Sequence, residues 1–166
     1  TGPEGKGLGL RLALAGQKIM IGSRDEKKAT ATMKELANVV PKGSITGNTN
    51  SQTAAVSDIV FIAVPFVGQK ETLLNLKAEL VDKIVVVVVA PLVFNKRQVT
   101  TISIEEGSAA EQAQVVLPQS LIVSAFQNLS ADELLLPDLK INADVIVCSD
   151  HAKAKTEVIA LANAIN

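Results

Sequence analysis

Five short runs of aliphatic, mostly β-branched residues punctuate the chain, at positions 18–21, 59–64, 84–88, 121–126 and 145–148. Within most of them Val and Ile follow one another with almost no polar residue between. A strand with one wet face alternates apolar and polar positions, so continuous runs predict strands covered on both faces. The stretches between read differently. In 26–39 the apolar positions Ala29, Met33, Leu36 and the adjoining Val40 recur at three- and four-residue steps, with Lys27, Lys28, Lys34 and Glu35 off that stripe. This is helical spacing. Further helices are predicted over 5–15, 67–80, 108–117 and 152–165, and a short extra strand at 44–46. Strands alternating with helices predict an α/β fold: a doubly wound, mostly parallel sheet with helices on both faces, in three layers.

Composition narrows this picture. A chain of 166 residues with 48% apolar content buries roughly 70% of its unfolded surface around one core. Four Phe and no Trp or Tyr make that core aliphatic and argue against stacking single-stranded nucleic acid. Sixteen basic against seventeen acidic residues leave no net field for a polyanion, so any phosphate site must be local. No nucleic-acid partner is expected. Nor is a membrane, because the longest apolar run, 84–94, is broken by Pro91 and falls short of the ~20 residues a span needs. No signal peptide is visible, and a lone cysteine, Cys148, suits a reducing cytoplasm. Cys148 reads as a buried core thiol at a strand end, and His151 as a solvated helix cap. No His, Cys and carboxylate spacing suggests a metal site.

The chemistry concentrates at two places. Thr1-Gly2-Pro3-Glu4-Gly5-Lys6-Gly7-Leu8 leads straight into a helical pattern. Two glycines three apart fit the end of G-x-G-x-x-G: Gly2 admits a pyrophosphate to the backbone, and Gly5 allows close helix–strand packing at a helix N-terminus rich in free N–H groups. Alone, such a fragment fits a simple turn equally well. The second place raises the odds. The strand at 18–21 ends in Gly22-Ser23-Arg24, with Lys28 one helical turn further on. Dinucleotide-binding domains of the Rossmann type place a ribose-reading residue ~20 residues beyond the loop. A hydroxyl, a guanidinium and an ammonium there suit the 2′-phosphate of NADP better than the free hydroxyl of NAD. Asp25 could serve a hydroxyl or cap the helix, and the cap is the reading we favour.

Together these elements resemble the NADPH-dependent reductases of the deazaflavin coenzyme F420. The likeness continues through Ser44-Ile45-Thr46-Gly47, Val64-Pro65, Ala90-Pro91-Leu92, Ser108-Ala109-Ala110-Glu111, Val123-Ser124-Ala125-Phe126 and Val147-Cys148-Ser149-Asp150. The resemblance implies an oxidoreductase passing hydride directly between NADP(H) and the deazaflavin. It implies a cofactor-binding set of Thr1, Gly2, Pro3, Glu4 and Gly5 in the loop, with Ser23, Arg24 and Lys28 beyond it. Val64, Pro65, Phe66, Ala90 and Pro91 would line the nicotinamide side, and Gln127 and Ala131 the acceptor cleft. No catalytic side chain is expected. One departure is Gln127, where the family can carry His; Gln exchanges hydrogen bonds but cannot become cationic. The alternatives are an NADP-dependent reductase of another small substrate and a non-enzymatic NADP-sensing or binding module. Residues 1–166 read as one NADP-binding Rossmann domain. A short apolar strand is expected ahead of Thr1, and beyond Asn166 a helical region that helps to form a homodimer.

Overall fold

The computed structural model describes residues 2–95 and 98–165. The first half of the chain forms α1 (Pro3–Leu14), β1 (Ile19–Ser23), α2 (Glu26–Leu36), β2 (Ile45–Thr49), α3 (Asn50–Val56), β3 (Ile59–Ile62), α4 (Phe66–Asn75) and β4 (Ile84–Val87). Then come β5 (Leu92–Asn95), β6 (Gln98–Thr101), α5 (Ala109–Val116), β7 (Leu121–Ser124), α6 (Ala131–Leu134) and α7 (Ala152–Ala164).

The sequence 84–89 is buried at every position, and the alternation of a strand sorts its residues between two cores. Ile84, Val86 and Val88 join Leu8 and Leu12 of α1, Leu134 of α6 and Val158 of α7. Val85, Val87 and Val89 join Ala54 of α3, Leu73 of α4 and Ala113 of α5. Helices therefore cover both faces, and the fold is α/β in three layers. Parallel pairing follows on either side of β4, with Ile84 opposite Ile59 in β3 and Leu121 in β7. β1 and β2 form a second parallel pair, Ile19 opposite Ile45, over a smaller core of Leu10, Ile21, Leu36 and Ile45.

These two parallel sheets share no hydrogen-bonded strand. Between β1 and β3 lies a cavity of about 590 Å³, roofed by Leu8 and Leu12 of α1 and walled by Met20, Gly22, Phe61 and Ala63. Ile19 donates to Ser44 and Ile62 accepts from Val88, so these residues face their paired strands. The ladder's alternation then turns the N–H and C=O groups of Met20 and Gly22, and of Ile59 and Phe61, into the slot. The spatial sequence β2, β1, slot, β3, β4, β7 is a doubly wound order with its central place open.

Several elements depart from the sequence expectations. The run at 145–148 is no strand: a single antiparallel bridge joins Cys148 to Ser124. Cys148 is exposed, not a core thiol. Val145 and Val147 pack on the core beside α7, which leaves Ile146 and Cys148 on the uncovered side. The run at 121–126 ends its strand at Ser124, because Phe126 turns into the left-handed region at φ 73°. The helix read at 67–80 stops at Asn75 and continues only as turns. α3, α6 and the β5–β6 hairpin were not anticipated. Every described residue of the hairpin strands is exposed, so no face pattern marks them.

Gly47 of β2 is where helix and sheet come closest. A Cβ there would lie 2.7 Å from the Ala29 carbonyl oxygen of α2. Gly47→Ala is expected to cost about 1–3 kcal/mol through forced displacement of α2, read as a lower midpoint in urea unfolding; an unchanged midpoint would mean that α2 moves freely.

Candidate active site at the carboxyl edge

All the parallel strands end on one side, and most of the candidate residues follow those ends. α1 begins there. Gly2 is its N-cap in extended conformation, Pro3 is its first residue, and no side chain caps it. The first helical bond runs from Lys6 N–H to the Gly2 carbonyl, so the N–H groups of Gly2, Glu4 and Gly5 have no partner within the helix. A Cβ at Gly2 would meet nothing within 4 Å, leaving the backbone open to approach. At Gly5 a Cβ would touch Ala63 at 3.4 Å, an ordinary contact. Two residues later α1 comes close to a helix, α6: a Cβ at Gly7 would sit 2.5 Å from the Leu134 Cβ. Thr1 lies outside the described residues.

Glu4 is the unusual group in this loop. Its Oε1 is buried without a hydrogen-bond partner, and burial raises its pKa to about 7. A helix N-terminus would favour the anion, but desolvation prevails and holds the carboxyl well above its ordinary range.

Across from α1, the end of β1 delivers Ser23 and Arg24, and the first turn of α2 carries Lys28. Gly22 lines the same cavity as Gly5, which puts the two loops side by side. Ser23 is buried, and its hydroxyl accepts from Asp25 N–H at 3.2 Å, holding the turn. Asp25 Oδ1 accepts from Lys27 N–H at 2.9 Å, which makes it the helix cap. Arg24 and Lys28 are exposed, and neither enters any of the ion pairs found among the described residues. Lys6 is already committed to Glu35 of α2 at 2.6 Å.

The far half of the edge comes from β3, β4 and β7. Pro65 is the N-cap of α4 and Phe66 its first residue; Ala90 and Pro91 carry the chain from β4 into the hairpin. After β7, the left-handed Phe126 is fully buried, its ring 5.7 Å from that of Phe61. That turn aims Gln127 back at the sheet, where Nε2 donates to the Val87 carbonyl at 2.7 Å and to Ser124 Oγ at 2.8 Å. A carbonyl can only accept, so the amide nitrogen must face it, and Oε1 remains free to accept. Ala131 stands apart from this group: its carbonyl lies against Gly7 of α1, inside the packing and behind the edge.

Sequence reasoning did not single out Ser124, which anchors Gln127, or Arg11, a buried charge on α1. Neither carries a sequence signal, since each works through backbone carbonyls or a neighbour three residues away. His151, the N-cap of α7, has its ring against Gln114 Oε1 at 3.3 Å. Among the described residues no group of three His, Cys, Asp or Glu could hold a metal, and no helix is long and apolar enough to cross a membrane.

Residues 1–91 match the family model described as NADP oxidoreductase, coenzyme F420-dependent. The chain is 37% identical to the F420-dependent NADP reductase of Methanocaldococcus jannaschii, covering 100% of this chain and 77% of that protein. It is 34% identical to the enzyme of that name from Methanothermobacter thermautotrophicus, covering 100% and 74%. Among solved structures, a candidate F420-dependent NADP reductase from Arthrobacter superposes with a TM-score of 0.81 at 25% identity, over 100% of this chain and 78% of its own. By the family match over residues 1–91 and relatives alike along the whole chain, the chain belongs to the coenzyme F420-dependent NADP oxidoreductase family.

Proposed function

We propose that this protein transfers a hydride between NADP(H) and the deazaflavin coenzyme F420, ring to ring. The observation that carries the reading is the pairing, at one sheet edge, of an uncapped α1 N-terminus with Arg24 and Lys28, which have no ion-pair partner among the described residues. Open N–H groups suit a pyrophosphate, and two such cations one helical turn apart suit a 2′-phosphate. Thr1, Gly2, Pro3, Glu4 and Gly5 hold the former; Ser23 shapes the turn that presents Arg24 to the latter. Val64, Pro65, Phe66, Ala90 and Pro91 form the wall for the nicotinamide. Gln127, its nitrogen engaged, offers Oε1 to an N–H of the acceptor, with Ala131 seating the segment from behind. The two ring systems supply the redox chemistry themselves. The protein's task is to hold them face to face at ~3–3.5 Å and to exclude water.

The same reading fills the slot between β1 and β3. Its open backbone groups on both walls fit one more parallel strand, short and apolar, running into Gly2 from ahead of Thr1. With it, residues 1–166 make one NADP-binding Rossmann domain. Cytoplasmic location fits the single free cysteine. Homodimer assembly belongs to the same proposal.

Mixing the protein with NADPH and oxidised deazaflavin is expected to bleach the deazaflavin's visible absorbance; no reaction would overturn the proposal, and turnover of other carbonyl or metal-ion acceptors alone would favour a different reductase. Arg24→Ala should raise KM for NADPH roughly ten- to hundredfold, the loss of a charge-assisted contact, while leaving the weak use of NADH unchanged. Equal losses with both cofactors would remove Arg24 from the 2′-phosphate. Dinucleotide affinity should also depend on Glu4. A bound pyrophosphate favours the protonated form further, so affinity is full below pH 7 and declines as pH rises through about 7. Titration calorimetry between roughly pH 6.5 and 8.5, a window spanning that pKa, should show the decline in the wild type and a flat profile in Glu4→Gln.

A further inference from the structure

Arg11 is a buried cation that finds no anion among the described residues. It lies in the last turn of α1 at 6% exposure, and no carboxylate of those residues pairs with it. Its guanidinium instead serves carbonyls at the end of α6. Nε donates to the Leu134 carbonyl at 3.1 Å, and Nη2 donates to those of Glu133 at 3.1 Å and Leu136 at 2.5 Å. Two of these carbonyls already accept a backbone N–H, Glu133 from Leu136 and Leu136 from Leu139, so the guanidinium adds a second donor at the C-terminal side of α6, where a helix carries its negative end. A planar donor with several N–H groups can span all three in one fixed geometry, which the compact ammonium of a lysine does less well. Gly7, one turn earlier on the same helix, lets Leu134 seat directly on the α1 backbone.

These contacts matter for what α6 is attached to. The segment from Ala125 to Leu136 leaves β7 through the left-handed Phe126, presents Gln127, turns at Asn128, and enters α6 with Ser130 as its cap. It is pinned at one end by Gln127 on the Val87 carbonyl and at the other by Arg11. Leu134 between them is fully buried. The helix whose N-terminus faces the pyrophosphate is thus bonded, through Arg11 near its other end, to the segment that faces the acceptor.

We infer that Arg11 is a positioning residue for the acceptor half of the site: it fixes segment 125–136, and so the aim of Gln127, to the cofactor-binding helix. The inference rests on the function proposed above, though its structural half does not. Arg11 touches neither substrate. Its removal leaves the N–H groups of α1, Arg24 and Lys28 in place and frees the far end of the acceptor segment.

The test compares Arg11→Met, which keeps the apolar stem, and Arg11→Lys with the wild-type chain. Amide hydrogen exchange, which needs no activity, is expected to rise across 126–136 in Arg11→Met and partly in Arg11→Lys, with β4 unchanged. In steady-state kinetics well below the unfolding midpoint, Arg11→Met should raise KM for the deazaflavin about tenfold, the scale of one lost charged hydrogen bond. The dissociation constant for NADPH should stay within about twofold on the same scale. Added guanidinium at millimolar concentration should lower that KM in an Arg11→Ala variant. Unchanged exchange in 126–136, or equal losses for both substrates, overturns the inference. If Arg11→Met fails to fold, Arg11→Lys and guanidinium rescue carry the same comparison. Absence of deazaflavin turnover in the wild type would instead sink the proposed function, and the exchange result would still stand or fall alone.

Discussion

Everything in this molecule leans on one strand that never meets water. From Ile84 to Val89 each side chain is buried, odd and even positions feeding separate cores on opposite faces of the sheet. A strand in that position tolerates no polar residue on either face, and it forces its neighbours to be parallel, because the covering helices must return the chain to the same end each time. The carboxyl ends of β3, β4 and β7 therefore arrive at one edge together. The site is a consequence of that arrangement: residues far apart in sequence, from Gly2 to Gln127, meet at the edge where these strands end.

Around this apolar centre, a few buried polar side chains set the angles. Two long cations reach the carbonyl ends of helices, Arg11 at α6 and Lys83 at α3, where its Nζ donates to the Ala54 and Ala55 carbonyls. Gln69 of α4 donates to the Ala109 carbonyl at 2.8 Å, tying α4 to the start of α5. Ser120 fixes the entry of β7 through the Leu80 carbonyl at 2.7 Å. Each gives a backbone carbonyl a side-chain donor, in several cases beside a backbone N–H that it already accepts, as at Leu80, Glu133 and Leu136, and a typical bond of this kind contributes roughly 0.5–1.5 kcal/mol. Apolar burial chooses the layers, and these bonds choose how the layers are rotated on one another.

Much of this was legible in the residues. The Val and Ile runs named four of the parallel strands, since doubly covered strands are so uniformly apolar; Ser23, Arg24 and Lys28 stood out by their place ~20 residues beyond the glycine loop, and the fold sets Gly22 on the same cavity as Gly5. Asp25 was readable as a cap for the same local reason. What could not be read was non-local or unpatterned. Cys148 looked buried because its neighbours are apolar, but burial depends on which face α7 covers. α3 opens with Asn50-Ser51-Gln52-Thr53, too polar and too short to show a period. The steric demand at Gly7 arises from Leu134, more than a hundred residues away, and no local spacing shows it.

The slot between β1 and β3 has a consequence beyond ligand binding. An ordinary sheet edge offers one row of unsatisfied backbone groups, and proteins blunt it with charge, proline or a covering loop. Here two rows face each other across a gap, with apolar side chains above and few charges at hand. Any extended apolar peptide that enters gains hydrogen bonds on both sides at once.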